Sequence, residues 1–147
     1  GNCYAYKFIK SNIKNIEVTE NTITIYSPNT QVAQGVLEGY LKESLSEYVG
    51  AINTKIYSIF KNYGVEKPDI NFRKMKSRWG SCYYNKKKIF LNTALVTSPK
   101  ECIEYVLFHE FTHFLYLNHQ KEFYSFLSKY VPDYKLIKNH LNTFEKC

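Results

Sequence analysis

Three of the four histidines in the chain fall within one short stretch, His109-Glu110-Phe111-Thr112-His113-Phe114-Leu115-Tyr116-Leu117-Asn118-His119. His109 and His113 are four residues apart, so on a helix they project from one face, one turn along. Two neutral imidazoles so placed can bind a single zinc ion, which takes nitrogen ligands at about 2.0–2.1 Å. Glu110 is offset from His109 by about 100° around the helix axis. From there it cannot easily ligate the same ion, but it can reach a water bound to it. That is the division of labour of an H-E-x-x-H hydrolase, and it makes Glu110 the expected general base.

His119 is the third candidate ligand. On a continuous helix it would lie about 15 Å along the axis from His109, out of reach of a shared ion. It can join only if the helix stops and the chain folds back. We expect the helix to end at Leu117 and to turn at Asn118, because Asn tolerates the left-handed cap conformation. Three nitrogen ligands would leave the fourth position to water, the open shell of a catalytic zinc. Glu122, Asp133 and Glu101 stay open as acidic alternatives for the third ligand. His140 has no candidate ligand near it in the sequence and reads as a surface residue. A chance H-E-x-x-H in a chain of this length is on the order of one in several hundred at ordinary residue usage, so a helix with incidental histidines is the weaker reading.

The elements that must position these residues follow from patterning. Ser98-Pro99-Lys100-Glu101 reads as a capping box with Pro at the first helical position, which opens the motif helix. Ile103, Val106, Leu107, Phe111, Phe114 and Leu115 form its apolar stripe. Phe123, Phe126, Leu127 and Tyr130 mark a second helix, and a last one spans about 134–145. Residues 13–27 alternate around a polar turn and predict a β-hairpin through Ile16, Val18, Ile23 and Ile25. A long helix is expected from about 31 to 63, with Gly50 as a break or kink and Gly64 as its stop. Strands are expected at 69–75 and 86–93, pairing with each other around "SRWGSCYYN". Strands precede helices, so the class is α+β.

Ahead of Trp79, the cations Arg73, Lys74, Lys76 and Arg78 crowd together. Strand alternation would put Lys74, Lys76 and Arg78 on one face. They read either as a solvated face or as a cationic cleft wall, in which Arg78 holds a substrate carboxylate or phosphate, or a developing oxyanion. Ser81 and Cys82 are poor candidates for a covalent nucleophile, having no paired base in sequence. Tyr105 and Tyr116 read as aromatic core rather than as oxyanion donors.

The 147 residues suffice for one domain with a real core. Aromatics at 17% point to an aromatic-rich one. No apolar run approaches the ~20 residues that span a bilayer. A net charge of +7 permits a nucleic-acid or phosphate-bearing partner without requiring one. The cysteines, Cys3, Cys82, Cys102 and Cys147, form no CxxC pair and read as reduced thiols of a cytoplasmic protein. The chain opens on Gly1 rather than Met, from which we expect a truncated N-terminus.

Three segments, "MKSRWGSC" (75–82), "IFLNTALVTSPKECIEYVLFHEFTHFLYLNHQKEF" (89–123) and "VPDYKLIKNHLN" (131–142), together resemble the YgjP-like metallopeptidase family, relatives of the SprT-like and WLM zinc proteases. The resemblance runs over about residues 30–145. It implies zinc ligation by His109, His113 and His119 and a catalytic Glu110. It also implies a zincin-like fold: a small, mostly antiparallel sheet on an active-site helix, with one edge strand above that helix able to pair with an extended peptide. We take the 69–75 and 86–93 strands as candidates for that edge. The histidine spacing equals that of the metzincins, but Tyr116 stands where they carry Gly, and no Met-turn is visible. The expected activity is zinc-dependent peptide hydrolysis. Metal-dependent hydrolysis of a nucleotide phosphoanhydride, and a module acting on DNA-bound proteins, are the alternatives.

Overall fold

The computed structural model describes residues 4–144. Gly1, Cys3, Glu145 and Cys147, on which some expectations above rest, lie outside these residues. By its internal contacts the chain divides into two compact units, Gly1–Ser44 and Leu45–Cys147.

The first unit carries the expected hairpin. Strands β2 (Asn15–Val18) and β3 (Thr22–Ser27) run antiparallel, with Ile16 opposite Ile25 and Val18 opposite Ile23. Period-two alternation turns Ile23, Ile25 and Ser27 inward and leaves Thr22, Thr24 and Tyr26 half-buried. A further strand, β1 (Ala5–Lys10), pairs parallel to β3, giving the order β1-β3-β2. All six of its residues are exposed, so it has no buried face to imprint a pattern on the sequence. Helix α1 (Thr30–Lys61) starts where the Asn29 side chain accepts the Val32 amide, a standard N-cap. Its early residues Ala33, Val36, Leu37 and Tyr40 pack on Ile23 and Ile25.

In the second unit α1 continues without a break through Gly50, whose missing side chain faces open space. It ends as expected at Gly64, which adopts φ +81°. The Gly64 amide donates to the Lys61 carbonyl and the Val65 amide to the Phe60 carbonyl, a Schellman ending.

The second sheet differs from expectation in one strand. β4 (Asp69–Arg73) and β6 (Lys88–Asn92) do pair, but in parallel. They can do so because β5 (Gly80–Tyr83), within the segment expected to be a turn, reverses direction first and runs antiparallel to β6. The order is β4-β6-β5. Arg73 clamps all three strands: its guanidinium lies 4.2 Å from the centre of the Phe90 ring and donates to the Tyr83 hydroxyl at 3.0 Å.

Helices α2 (Lys100–Thr112), α3 (Lys121–Tyr130) and α4 (Tyr134–Leu141) complete the unit. The expected capping box does not form. The Ser98 hydroxyl donates back to the Leu95 carbonyl, satisfying the preceding turn instead of the helix, and Pro99 takes the cap position. The core is aromatic, as composition implied: Phe60 packs on Phe108, Phe111 and Phe126 at 4.9, 5.1 and 5.5 Å between ring centres. Among the described residues, no helix is long and apolar enough to cross a membrane.

Candidate metal centre

Helix α2 is buried along most of its length, from Cys102 to Thr112, and keeps the charged Lys100, Glu101 and Glu104 exposed. It places His109 and Glu110 in its last turn and ends at Thr112, earlier than Leu117. The Thr112 hydroxyl bonds back to the Phe108 carbonyl at 2.8 Å, a local bond that competes with regular helix. His113 is then the cap, still in right-handed geometry, and tight turns follow: the Phe114 amide bonds to Phe111 and the Leu115 and Tyr116 amides to Thr112. Asn118 is not left-handed; among the described non-glycine residues only Lys87 has positive φ. The chain reverses through these turns rather than through a single left-handed cap.

The reversal brings the three imidazoles together. One ligand nitrogen from each of His109, His113 and His119 lies within 4.8 Å of the others. The Nε2 atoms of His109 and His119 are 3.0 Å apart. Tetrahedral zinc with bonds of about 2.0–2.1 Å holds its ligand nitrogens roughly 3.3 Å apart, so the donor set fits such an ion. Nδ1 of His113 is 3.1 Å from the Tyr116 carbonyl, which fixes its proton there and leaves Nε2 free to ligate. Phe123 is the floor under all three rings, with centre separations of 4.9, 4.8 and 4.9 Å to His109, His113 and His119. In the sequence Phe123 shows only as one residue of an apolar stripe and as the Phe that follows the third histidine. Glu101, Glu122 and Asp133 do not join the cluster, and His140 is exposed.

Burial sets the protonation states. It pushes His109 down to about 3, helped by His113, His119 and Lys138. Burial likewise lowers His113 and His119, so the neutral, ligating form dominates at neutral pH. Glu110 is 6% exposed and its carboxyl is pushed up to about 8 by burial, with Arg78 pulling in the opposite direction. The side chain of Glu110 rests against the backbone of Gly80 on β5.

A cleft of about 610 Å³ opens over this cluster. One wall is the segment from Ser77 to Tyr84, including all of β5; the others bring Tyr105, Leu117, Lys138 of α4 and Asn142 just after it. This corrects the expected edge strand. β6 is the central strand, paired on both sides, and β4, though an edge, does not line the cleft. β5 is both an edge and a cleft wall. The basic cluster also separates. β4 stops at Arg73, so Lys74, Lys76 and Arg78 share no strand face, and of these three only Arg78 lines the cleft. Cys82 faces the cleft, but burial and the neighbouring Glu110 push its thiol up to about 12, which leaves it protonated and non-nucleophilic. Tyr105 is buried and set edge-on to His109 at 5.8 Å, while Tyr116 packs on Phe126.

Asn92, fully buried at the end of β6, holds the loop that carries Arg78. Its side-chain amide donates to the carbonyls of Met75 at 2.8 Å and Arg78 at 2.9 Å. Its side-chain oxygen accepts the Ala94 amide, and its own backbone amide donates to the Trp79 carbonyl. A polar residue closing an apolar strand, "IFLN", is the signal for it in the sequence and belongs to the pattern that carries the family resemblance; its bonds to the loop are not legible there.

A family model described as YgjP-like, metallopeptidase domain, matches residues 1–144. Among solved structures, the chain is similar to the metallopeptidase zymogen of Methanocaldococcus jannaschii jannalysin, with 23% identity and a TM-score of 0.53 over 63% of this chain and 88% of that one. It is also similar to the metallopeptidase zymogen of Pyrococcus abyssi abylysin, with 19% identity and a TM-score of 0.51 over 72% and 92%. At these identities the likeness establishes a shared fold. No curated protein matches the sequence.

Proposed function

The chain belongs to the YgjP-like metallopeptidase family, and on that premise we propose that it is a zinc peptidase in which His109, His113 and His119 hold the ion, Glu110 is the general base and Arg78 binds substrate. The observation that carries this reading is the convergence of three imidazole nitrogens beside a buried carboxylate. An all-nitrogen set favours zinc over magnesium or calcium, which prefer oxygen. Bound there, zinc supplies a Lewis acid that brings the pKa of a coordinated water to about 7.

The protein's own groups do the rest. Glu110 accepts a proton from the attacking water and passes it to the leaving amine. Arg78 offers a guanidinium at the rim for a substrate carboxylate or the strained carbonyl oxygen. An extended peptide would add to the free edge of β5. The phosphoanhydride reading rested on a cationic wall; with Lys74 and Lys76 away from the cleft, it loses its main support. We take residues 1–147 as one peptidase domain, which the family match supports. A cytoplasmic setting is supported by the free thiols of Cys82 and Cys102.

The test begins with elemental analysis of the purified protein, where we expect zinc at about one ion per chain, the count a single three-histidine site holds. His119→Ala should lose most of that zinc. Glu110→Gln should keep it while turnover of a fluorescence-quenched peptide library falls by roughly 10²–10⁴-fold, the usual worth of a general base. Full turnover by Glu110→Gln, or hydrolysis of nucleoside triphosphates in place of peptides, would sink the proposal.

A further inference from the structure

The motif helix and the sheet edge approach closely at Gly80. A Cβ built there would lie 2.8 Å from both Cγ and Oε1 of Glu110 and 3.1 Å from its carboxyl carbon. Real Cβ atoms do not come that close to such groups, so the carboxylate can occupy its place only because position 80 has no side chain. Backbone conformation is not the reason for the glycine. Among the described glycines only Gly64 has positive φ, and Gly80 lies in regular strand opposite Leu91. Any L-residue could adopt that backbone. What an L-residue could not do is leave room for Glu110.

Nor can Glu110 give way easily. It is 6% exposed, and Val106, His109 and His113 line the same cleft. Gly80 is held in turn, since β5 pairs with the buried strand β6 and the Asn92 amide bonds the carbonyl of Trp79 just before it. Two rigid elements meet, and the gap between them is the width of one carboxylate.

We infer that Gly80 is a positioning residue for the reaction: its missing side chain forms the slot that sets where the Glu110 carboxylate stands relative to the histidine cluster. This rests on Glu110 acting as the base. A methyl group at position 80 displaces the carboxylate, and a misplacement of about 1 Å can cost up to about a hundredfold in rate. Glu110→Ala removes the Cγ and the carboxyl group that a Cβ at position 80 would meet, so the two positions must be coupled.

The experiment is a double-mutant cycle with two readouts. On zinc-loaded protein and a quenched peptide substrate, Gly80→Ala should lower kcat by roughly ten- to a hundredfold, with KM and zinc content near wild type. In the residual turnover of the Glu110→Ala background the same change should cost less than about twofold, because no γ-carbon or carboxyl remains to clash. On metal-free protein, Gly80→Ala should lower the thermal midpoint by several degrees, and Glu110→Ala in the same chain should remove that drop. Equal losses in both backgrounds, or a loss confined to KM, would overturn the inference. If Glu110→Ala alone left turnover intact, the base assignment would fall and with it the kinetic half of the test. Gly80→Ala with wild-type turnover beside an inactive Glu110→Ala would overturn the slot alone.

Discussion

The two sheets of this protein are wired alike. In each, the first strand runs parallel to the third, the second turns back as an antiparallel edge of four residues, and the third is central. Each central strand leads on toward a helix, and each ends in a fully buried polar residue, Ser27 or Asn92. Yet only one of them builds a site. In the first sheet the edge strands are largely exposed, and Ser27 makes one local bond, to the Asn29 carbonyl. In the second, Asn92 reaches across to hold a six-residue loop, 74–79, and the edge β5 lies against Glu110. Topology supplies a free edge in both cases. A site arises where the loop before that edge is fastened and the helix beside it carries chemistry.

That contrast can be tested by breaking it. The largest stability effect should come from the buried acid beside β5. The folded-state pKa of Glu110, about 8, lies above its unfolded value near 4.5. The folded protein therefore binds the proton more tightly between those values, and stability from this group is present below about pH 4.5 and lost as pH rises through about 8. In metal-free protein, Glu110→Gln should melt well above wild type at pH 9, and the gap should close by pH 4. A gap that widened toward acid would contradict the sign. His109 acts oppositely, since its pKa is lowered from 6.5 to about 3. Its contribution is intact above pH 6.5 and is lost as pH falls toward 3, so the comparison with the Gln variant isolates the acid.

Next in size are the two buried strand ends. Asn92→Ala strands two carbonyls and one amide and should cost about 3 kcal/mol, with turnover falling as the Arg78 loop loosens. Ser27→Ala removes one bond and should cost about 1 kcal/mol without touching turnover. Chemical denaturation and peptide assays on both variants measure the difference; equal effects would dissolve the contrast. The smallest effect is a gain. Lys87, just before β6, is held left-handed at φ 52°, so Lys87→Gly should stabilise by up to about 1 kcal/mol. Its ion pair with Glu66 is exposed on both sides and contributes little against that.

The same contrast explains what the sequence could reveal. Periodic burial writes itself into sequence, so α1, α2, α3 and the β2–β3 hairpin were legible, as was the His109–Glu110–His113 face. β1 was not, because no face of it is buried. β5 was not, because Trp79-Gly80 resembles a turn, and its strand character comes from pairing with β6, a non-local contact. The end of α2 was misplaced by a few residues because a buried threonine hydroxyl, not an Asn cap, competes with the helix there. The third histidine of the cluster was legible as a candidate, but the path that brings it beside the other two was not.

The length of β5 sets how such a site would hold what it cuts. A strand directs its N–H and C=O groups to one side only at alternate residues, so the four residues from Gly80 to Tyr83 can offer an incoming chain about four hydrogen bonds. At about 1 kcal/mol each, they correspond to a dissociation constant near a millimolar. Backbone pairing at this edge therefore gives direction rather than grip: it can set which way a peptide runs past Glu110, while leaving products free to depart.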